Sequence, residues 1–153
     1  MNDDRLKILF LCTGNSCRSQ MAEGLARAFK SETIEAHSAG TEPRGVDPLA
    51  VRVMAEIGID ISGKRSKHVD GFKGIEFDYV ITLCGHAAEQ CPVFPGKTKV
   101  VHHGFEDPPV LARSSKTEEE ALSHYRRVRD EIRAFVEKMP GSIEENTGGF
   151  FLA

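Results

Sequence analysis

The most constraining stretch of the chain lies near its start. Lys7-Ile-Leu-Phe-Leu11 is a continuous apolar run that breaks at once into Cys12-Thr-Gly-Asn-Ser-Cys-Arg-Ser19. From Ser19 to about Phe29, Met21, Leu25 and Phe29 then recur four residues apart. A short apolar run without alternation predicts a strand buried on both faces, and the four-residue spacing predicts a helix with one apolar stripe. A strand feeding a helix through a polar loop is the first half of a βαβ unit, which commits the chain to an α/β fold.

The remaining elements continue that alternation. Ile34 to Ala39 reads as a weak second strand closed by Gly40, and Asp47-Pro48 is a helix start with Leu49, Val53 and Ile57 on one face and a stop at Gly58. Phe77 to Leu83 is the third strand and ends at Cys84; a short polar segment leads to Cys91-Pro92, and Lys97 to His102 is the fourth strand. Thr117-Glu-Glu-Glu120 is a capping box opening the longest helix, to about Met139. Its inner stripe is Leu122, Tyr125, Val128, Ile132, Phe135 and Met139, and Pro140-Gly141 ends it. The expectation is a single α/β domain over residues 1–140, a four-stranded parallel sheet flanked by helices. Residues 141–153 form a tail without periodicity, in which Gly148-Gly149 precedes Phe150-Phe151-Leu152. Sites in such sheets gather beyond the carboxyl ends of the strands, where Cys12, Cys84 and Asp107 all fall.

Composition narrows the partners. The 153 residues carry 20 Lys plus Arg against 23 Asp plus Glu, a net charge of −3. No broad basic face for nucleic acid is expected, and no apolar run approaches the roughly 20 residues of a membrane span. The acidic start, Met1-Asn2-Asp3-Asp4, is unlike a signal peptide, so a cytoplasmic protein is expected. In a reducing compartment Cys12, Cys17, Cys84 and Cys91 are metal ligands, catalytic thiols or inert core residues. The gaps are four and six intervening residues, and the six between Cys84 and Cys91 exceeds the two to four usual in structural zinc sites, so no metal is expected.

The loop from Cys12 to Ser19 suits a tetrahedral oxyanion. Backbone N–H groups and the helix N-terminus can wrap an anion, and Arg18 can hold two of its oxygens in a fork. The same positive field favours a nucleophilic sulfur at Cys12. Thr13 lies in the anion-binding run, Gly14 permits its curvature, and Asn15 and Ser16 can bond to the loop backbone. The Ser19 hydroxyl can steady the sulfur, and Cys17 reads as a small buried loop residue. Asp107-Pro108 is either a turn or, from its place past the fourth strand, a general acid. His102-His103 reads as structural, and Arg126, Arg127 and Arg129 as a solvated face with Asp130 and Glu131.

At Cys12-Thr-Gly-Asn-Ser-Cys-Arg-Ser-Gln-Met-Ala-Glu-Gly24 and Asp107-Pro108 the chain resembles the low-molecular-weight protein tyrosine phosphatase fold, and more closely its thioredoxin-coupled arsenate reductase branch. The phosphatases usually have proline at the place of Gln20, and tyrosines where Pro109-Val110-Leu111 stand here. The likeness continues through Ser38-Ala-Gly40, Thr82-Leu-Cys84, Cys91-Pro92, Gly104-Phe-Glu-Asp-Pro108 and Arg127-Val-Arg-Asp-Glu-Ile132. It implies a flavodoxin-like topology and a thiol relay. Cys12 attacks arsenate with Asp107 as acid, Cys84 then attacks Cys12, and Cys91 attacks Cys84 to leave a disulfide for thioredoxin.

Geometry permits those roles. If the first and third strands are neighbours, about 4.8 Å apart, Cys12 and Cys84 fall within disulfide range, whereas a helical seven-residue step from Cys84 to Cys91 spans about 10.5 Å and must unwind. The Gly85 to Gln90 segment is too short to be a stable helix alone. Arsenate and thioredoxin are the expected partners, with no bound cofactor and a monomeric chain. Related reductases can bind potassium through residues matching Asn15 and Glu23 plus an acidic residue. That third position falls at Lys67, so no potassium requirement is expected. The other readings are a tyrosine or small-molecule phosphatase and a non-enzymatic thiol redox sensor. Weak phosphatase activity beside the reductase is also expected.

Overall fold

The computed structural model describes residues 4–144. Strands β1 (Leu6–Cys12), β2 (Ile34–Gly40), β3 (Tyr79–Thr82) and β4 (Lys99–His102) form one parallel sheet in the order β2-β1-β3-β4. Helices α1 (Arg18–Phe29), α2 (Pro48–Ala55), α3 (Gly85–Glu89), α4 (Pro108–Ala112) and α5 (Glu118–Glu137) connect and follow them. β1 is an inner strand with both neighbours parallel, which is why Ile8 to Leu11 carry no polar alternation: all four are fully buried.

The two faces of the sheet are unequal. Ile8, Phe10 and Ile81 project into the main core, where α1, α2 and the inner stripe of α5 close over them. Every residue of that expected stripe, Leu122 to Met139, is buried. Leu9, Leu11 and Val80 project the other way into a smaller core with Val69, Phe77, Ala87 and Phe94, covered by a 3-10 turn (Val69–Phe72) and α3.

Local signals explain the boundaries. Asp47 Oδ1 accepts the Leu49 N–H at 2.9 Å and caps α2, and the chain turns at Gly58 with φ +81°. Thr117 Oγ1 accepts the Glu120 N–H at 3.0 Å and caps α5. The Glu120 carboxylate binds the Lys116 N–H rather than that of Thr117, so the expected capping box closes one residue early.

Four features depart from the sequence reading. The Cys84–Cys91 segment contains a helix after all, because α3 is buttressed on both sides. Cys84 Sγ accepts the Ala87 N–H at 3.4 Å, and the Ala87 side chain is buried in the smaller core. Helix α4 was not legible: it is one and a half turns long, too short for periodicity, with prolines in its first turn. Arg129 is not on a solvated face. It is 8% exposed, donates to Val53 O at 2.8 Å and pairs with Glu56 and Asp130, tying α5 to α2. Finally, the packed chain continues past residue 140. Residues 141–144 make a helical turn, Ile143 is fully buried, and Ser142 Oγ donates to Phe135 O at 2.9 Å. The Gly148-Gly149-Phe150-Phe151-Leu152 part of the expected tail lies outside the described residues. No helix among the described residues is long and apolar enough to cross a membrane.

Candidate active site

The loop between β1 and α1 is shaped from outside. Thr41 N–H donates to Cys12 O, Glu42 N–H to Thr13 O, Arg44 N–H to Gly14 O and Asp47 N–H to Ser16 O, at 2.8–3.2 Å. Asn15 O accepts from Ser66 Oγ at 2.6 Å and from Gln20 Nε2 at 3.2 Å. Five consecutive carbonyls are thereby turned outward and satisfied, so the loop presents its N–H groups inward, the polarity an anion requires. The N-terminus of α1 has no side-chain cap and no acidic residue in its first turn, which leaves its N–H groups to the same purpose.

Sequence reading assigned the loop's curvature to Gly14, but the left-handed residue is Asn15, at φ +47°. Asparagine tolerates that conformation. The glycine that close approach demands is Gly40: a Cβ there would lie 2.5 Å from Thr13 O and 2.8 Å from Asn15 N. The likeness had included Gly40 without giving it a role, because a clash between two backbones distant in sequence leaves no local signal. Ser16 contributes its carbonyl rather than the side-chain bond expected of it.

Asn15 also sets the direction of a buried hydrogen-bond chain. Its Oδ1 accepts from the Lys67 backbone N–H at 2.9 Å and from Gln20 Nε2 at 3.1 Å, which fixes the amide orientation. Its Nδ2 therefore donates to Ser19 Oγ at 2.8 Å and to Ser38 Oγ at 3.0 Å. Ser38 passes its proton on to Glu23 Oε1 at 2.5 Å. Ser19 Oγ, which accepts from Asn15, shares a hydrogen bond with Cys12 Sγ at 2.8 Å. The chain of neutral side chains from Gln20 through Asn15 and Ser19 thus ends on the Cys12 sulfur.

Glu23 anchors this chain as a buried carboxylate. Arg27 Nε lies 2.9 Å from its Oε2, and Lys67 Nζ 3.7 Å from its Oε1. Burial pulls the Lys67 ammonium below its ordinary value, while Glu23 opposes that shift. A potassium ion does not fit here: the Glu23 oxygens face two cations and a hydroxyl, and Asn15 Oδ1 already accepts two bonds. Among the described residues no three His, Cys, Asp or Glu side chains are grouped as metal ligands.

Arg18 and Asp107 meet above the loop. Arg18 Nη1 donates to Phe105 O at 2.9 Å and Nη2 lies 3.5 Å from Asp107 Oδ2. Asp107 is the N-cap residue of α4 yet makes no side-chain cap bond, so its carboxylate faces the cleft instead of the helix. Cys17 is buried beside Cys12, and burial, reinforced by Asp47 and Asp107, pushes its thiol well up. Tyr125 O–H donates to Asp47 Oδ2 at 2.6 Å, bracing the loop floor from α5. Cys12, Cys17, Arg18 and Asp107 line one cleft of about 540 Å³.

Of the other two thiols, Cys84 packs against the cores on both faces of the sheet and Cys91 against the smaller one. Leu11 pairs with Thr82, so the register places Cys84 opposite Thr13 rather than opposite Cys12. Cys84 Sγ lies 3.2 Å from Thr13 Oγ1, and all four cysteines are free thiols. Joining Cys84 to Cys12 thus requires its side chain to leave Thr13 and cross one register position. Cys91 is half-buried against the smaller core, and burial raises its thiol above the ordinary value. His102 bonds Thr82 Oγ1 through Nδ1 at 2.8 Å, and His103 stacks between Phe105 and Phe135, with ring centroids 4.8 and 4.2 Å away.

Comparison with known proteins agrees with this architecture. Residues 7–148 match the model of the family described as low molecular weight phosphotyrosine protein phosphatase. An arsenate reductase of Halalkalibacterium halodurans is 51% identical over 125 residues, 82% of this chain and 88% of that protein. A solved structure of an arsenate reductase in the oxidized state has a TM-score of 0.73 at 34% identity, covering 90% of this chain and 98% of that one. The thioredoxin-dependent arsenate reductase of Corynebacterium glutamicum has a TM-score of 0.65 at 25% identity, covering 94% of this chain and 64% of that one. With its fold, its anion loop and nearly its whole length accounted for, the chain belongs to the low molecular weight phosphotyrosine protein phosphatase family.

Proposed function

We propose that this protein is an arsenate reductase that works by a thiol relay and is regenerated by thioredoxin. The observation that carries the reading is the second thiol at the loop itself: Cys84 Sγ bonds to Thr13, the residue after the nucleophile, and a third thiol follows across the five residues of α3. Phosphoryl transfer needs neither thiol. Reduction needs both.

Arsenate binds on the inward N–H groups with Arg18 forked on two oxygens. Cys12 sulfur attacks arsenic, and Asp107 supplies a proton to the departing oxygen, which leaves as water. Cys84 sulfur then attacks Cys12 sulfur. The arsenic–sulfur bond breaks with its electron pair staying on arsenic, so As(V) becomes As(III), arsenite departs and a Cys12–Cys84 disulfide remains. Cys91 attacks Cys84 next, Cys12 leaves as thiolate, and a Cys84–Cys91 disulfide forms as α3 unwinds. A thioredoxin dithiol reduces that disulfide and is itself oxidised. The two electrons given to arsenic thus come from thioredoxin. No bound cofactor enters, and the Lys67 ammonium serves where a potassium ion would otherwise stand beside Glu23. The chain acts as a cytoplasmic monomer, a compartment that keeps its four thiols reduced.

The deciding experiment couples arsenate to NADPH oxidation through thioredoxin and thioredoxin reductase, beside hydrolysis of an aryl phosphate. Arsenate-dependent oxidation is expected, with aryl phosphate turnover slow. Aryl phosphate turnover without arsenate-dependent oxidation would make the protein a phosphatase, and silence in both would leave a redox sensor.

A further inference from the structure

The cleft is larger than its floor requires. At about 540 Å³ it falls in the range of sites for organic ligands, whereas a tetrahedral oxyanion has only five heavy atoms and is held entirely by the loop and Arg18. The charged groups that line the remaining space are unevenly partnered. The acidic side chains there are already engaged: Asp107 with Arg18, Glu42 with His86 Nε2 at 3.0 Å, and Asp47 with Tyr125 and the Leu49 N–H. Arg44 and Arg113 line the same cleft, both exposed, and neither makes a side-chain ion pair or hydrogen bond among the described residues. Arg18, Arg44 and Arg113 balance Glu42, Asp47 and Asp107 in charge across the lining, and Arg44 and Arg113 are the two charges left without a partner among the described residues.

Their placement relates them to the bound anion. Arg44 follows the backbone bonds that turn the loop carbonyls outward, and its stem lies on the loop: its Cδ is 3.3 Å from where a Gly14 Cβ would stand. The guanidinium therefore starts from the rim of the anion site. Arg113 comes from a different element, directly after α4, the helix whose first turn begins at Asp107. Val46, Pro109 and Val110 fill the wall around them without adding negative charge.

We propose that Arg44 and Arg113 form a second anion subsite at the cleft mouth, which takes the outer group of a ligand bearing two linked phosphate-type groups while the Cys12 loop holds the inner one. The chemical class is a diphosphate, and inorganic pyrophosphate is the minimal probe. The inference rests on the loop being an oxyanion site and is independent of the redox relay.

The test is calorimetric binding of orthophosphate and pyrophosphate to the fully reduced protein in about 1 M sodium chloride, where the Debye length is about 3 Å and long-range attraction is screened. Pyrophosphate should bind at least about tenfold more tightly, the increment of one charge-assisted bidentate contact. The double variant Arg44→Met, Arg113→Met keeps the apolar stems against Gly14 and the cleft wall, and should bring the two affinities together. Arg113→Glu should invert the preference, with thermal melting checking that each variant is folded. Equal affinities in the parent protein, or a preference that survives the double variant, would overturn the subsite. Parallel weakening of both ligands would reduce the arginines to general attraction and overturn it too. Failure of orthophosphate itself to bind would remove the anion-loop reading along with the subsite.

Discussion

The two regions that supply the thiols are built in opposite ways. Cys12 sits where β1 runs into α1, a twelve-residue helix with eight residues buried, and its loop has each carbonyl from Cys12 to Ser16 bonded to another segment. Cys84 and Cys91 flank α3, five residues long with Ala87 alone buried, on the thinner side of the sheet. The first region is built to receive an anion without reorganising, because its loop is held by other segments beforehand. The second must come apart within each cycle, and little opposes that. Unwinding gives up the Ala88 N–H to Cys84 O and Gln90 N–H to His86 O bonds, the burial of one alanine and the His86–Glu42 pair. Segments that move are drawn from the low-stability end of a structure, and here such a segment adjoins a loop whose carbonyls are all bonded.

Substitutions can break this contrast. Cys12→Ser has the largest expected effect, abolishing both arsenate reduction and aryl phosphate hydrolysis, since both begin at this sulfur; retention of either would separate the two chemistries. Cys91→Ser should confine the loss to the mobile region: about one arsenite per enzyme molecule and then a stall as the Cys12–Cys84 disulfide, by quantitation of arsenite, with aryl phosphate hydrolysis unchanged. Sustained turnover with thioredoxin would remove Cys91 from the relay. Asp107→Asn should slow the first attack by about 10²–10⁴-fold in single turnover while the thiols remain oxidisable, and an unchanged rate would rule out its role as acid.

Smaller effects sharpen the comparison. Burial raises the Cys91 thiol, so its reactive thiolate forms only at higher pH than in an exposed cysteine. Stopped-flow measurement of disulfide transfer from Cys12–Cys84 to Cys84–Cys91 should show a rate still rising with pH above about 8.5; a plateau below that would mean that α3 opens before Cys91 ionises. Smallest of all, exchanging sodium for potassium at constant ionic strength should leave activity within about twofold, because screening is unchanged and Lys67 already faces Glu23. A several-fold rise would show that the ammonium does not serve there.

Legibility in the sequence followed the range of the forces involved. The buried strand β1, the capped starts of α2 and α5 and the stripe from Leu122 to Met139 were visible because periodicity and capping act within a few residues. The cysteine and arginine of the anion loop were visible for the same reason. The loop-shaping roles of Gly40, Ser38 and the segment from Thr41 to Asp47 were not, because they act across segments distant in the chain. Helix α3 was missed because its stability comes from Ala87 in a distant core, and Arg129 was misplaced because its partners, Val53 and Glu56, lie on another helix.

By itself, then, the sequence determined the α/β class, the position of the candidate nucleophile at the end of the first strand and the identity of the groups able to move two electrons. Each of these is written in local pattern or in side-chain chemistry, and neither depends on what packs nearby. Only the tertiary structure decided that Ser38 reaches Glu23, that Cys84 stands against Thr13 rather than Cys12, and that Lys67 reaches Glu23. Those facts follow from strand register and from hydrogen bonds between segments 15 to 71 residues apart, where the chain meets itself only after folding.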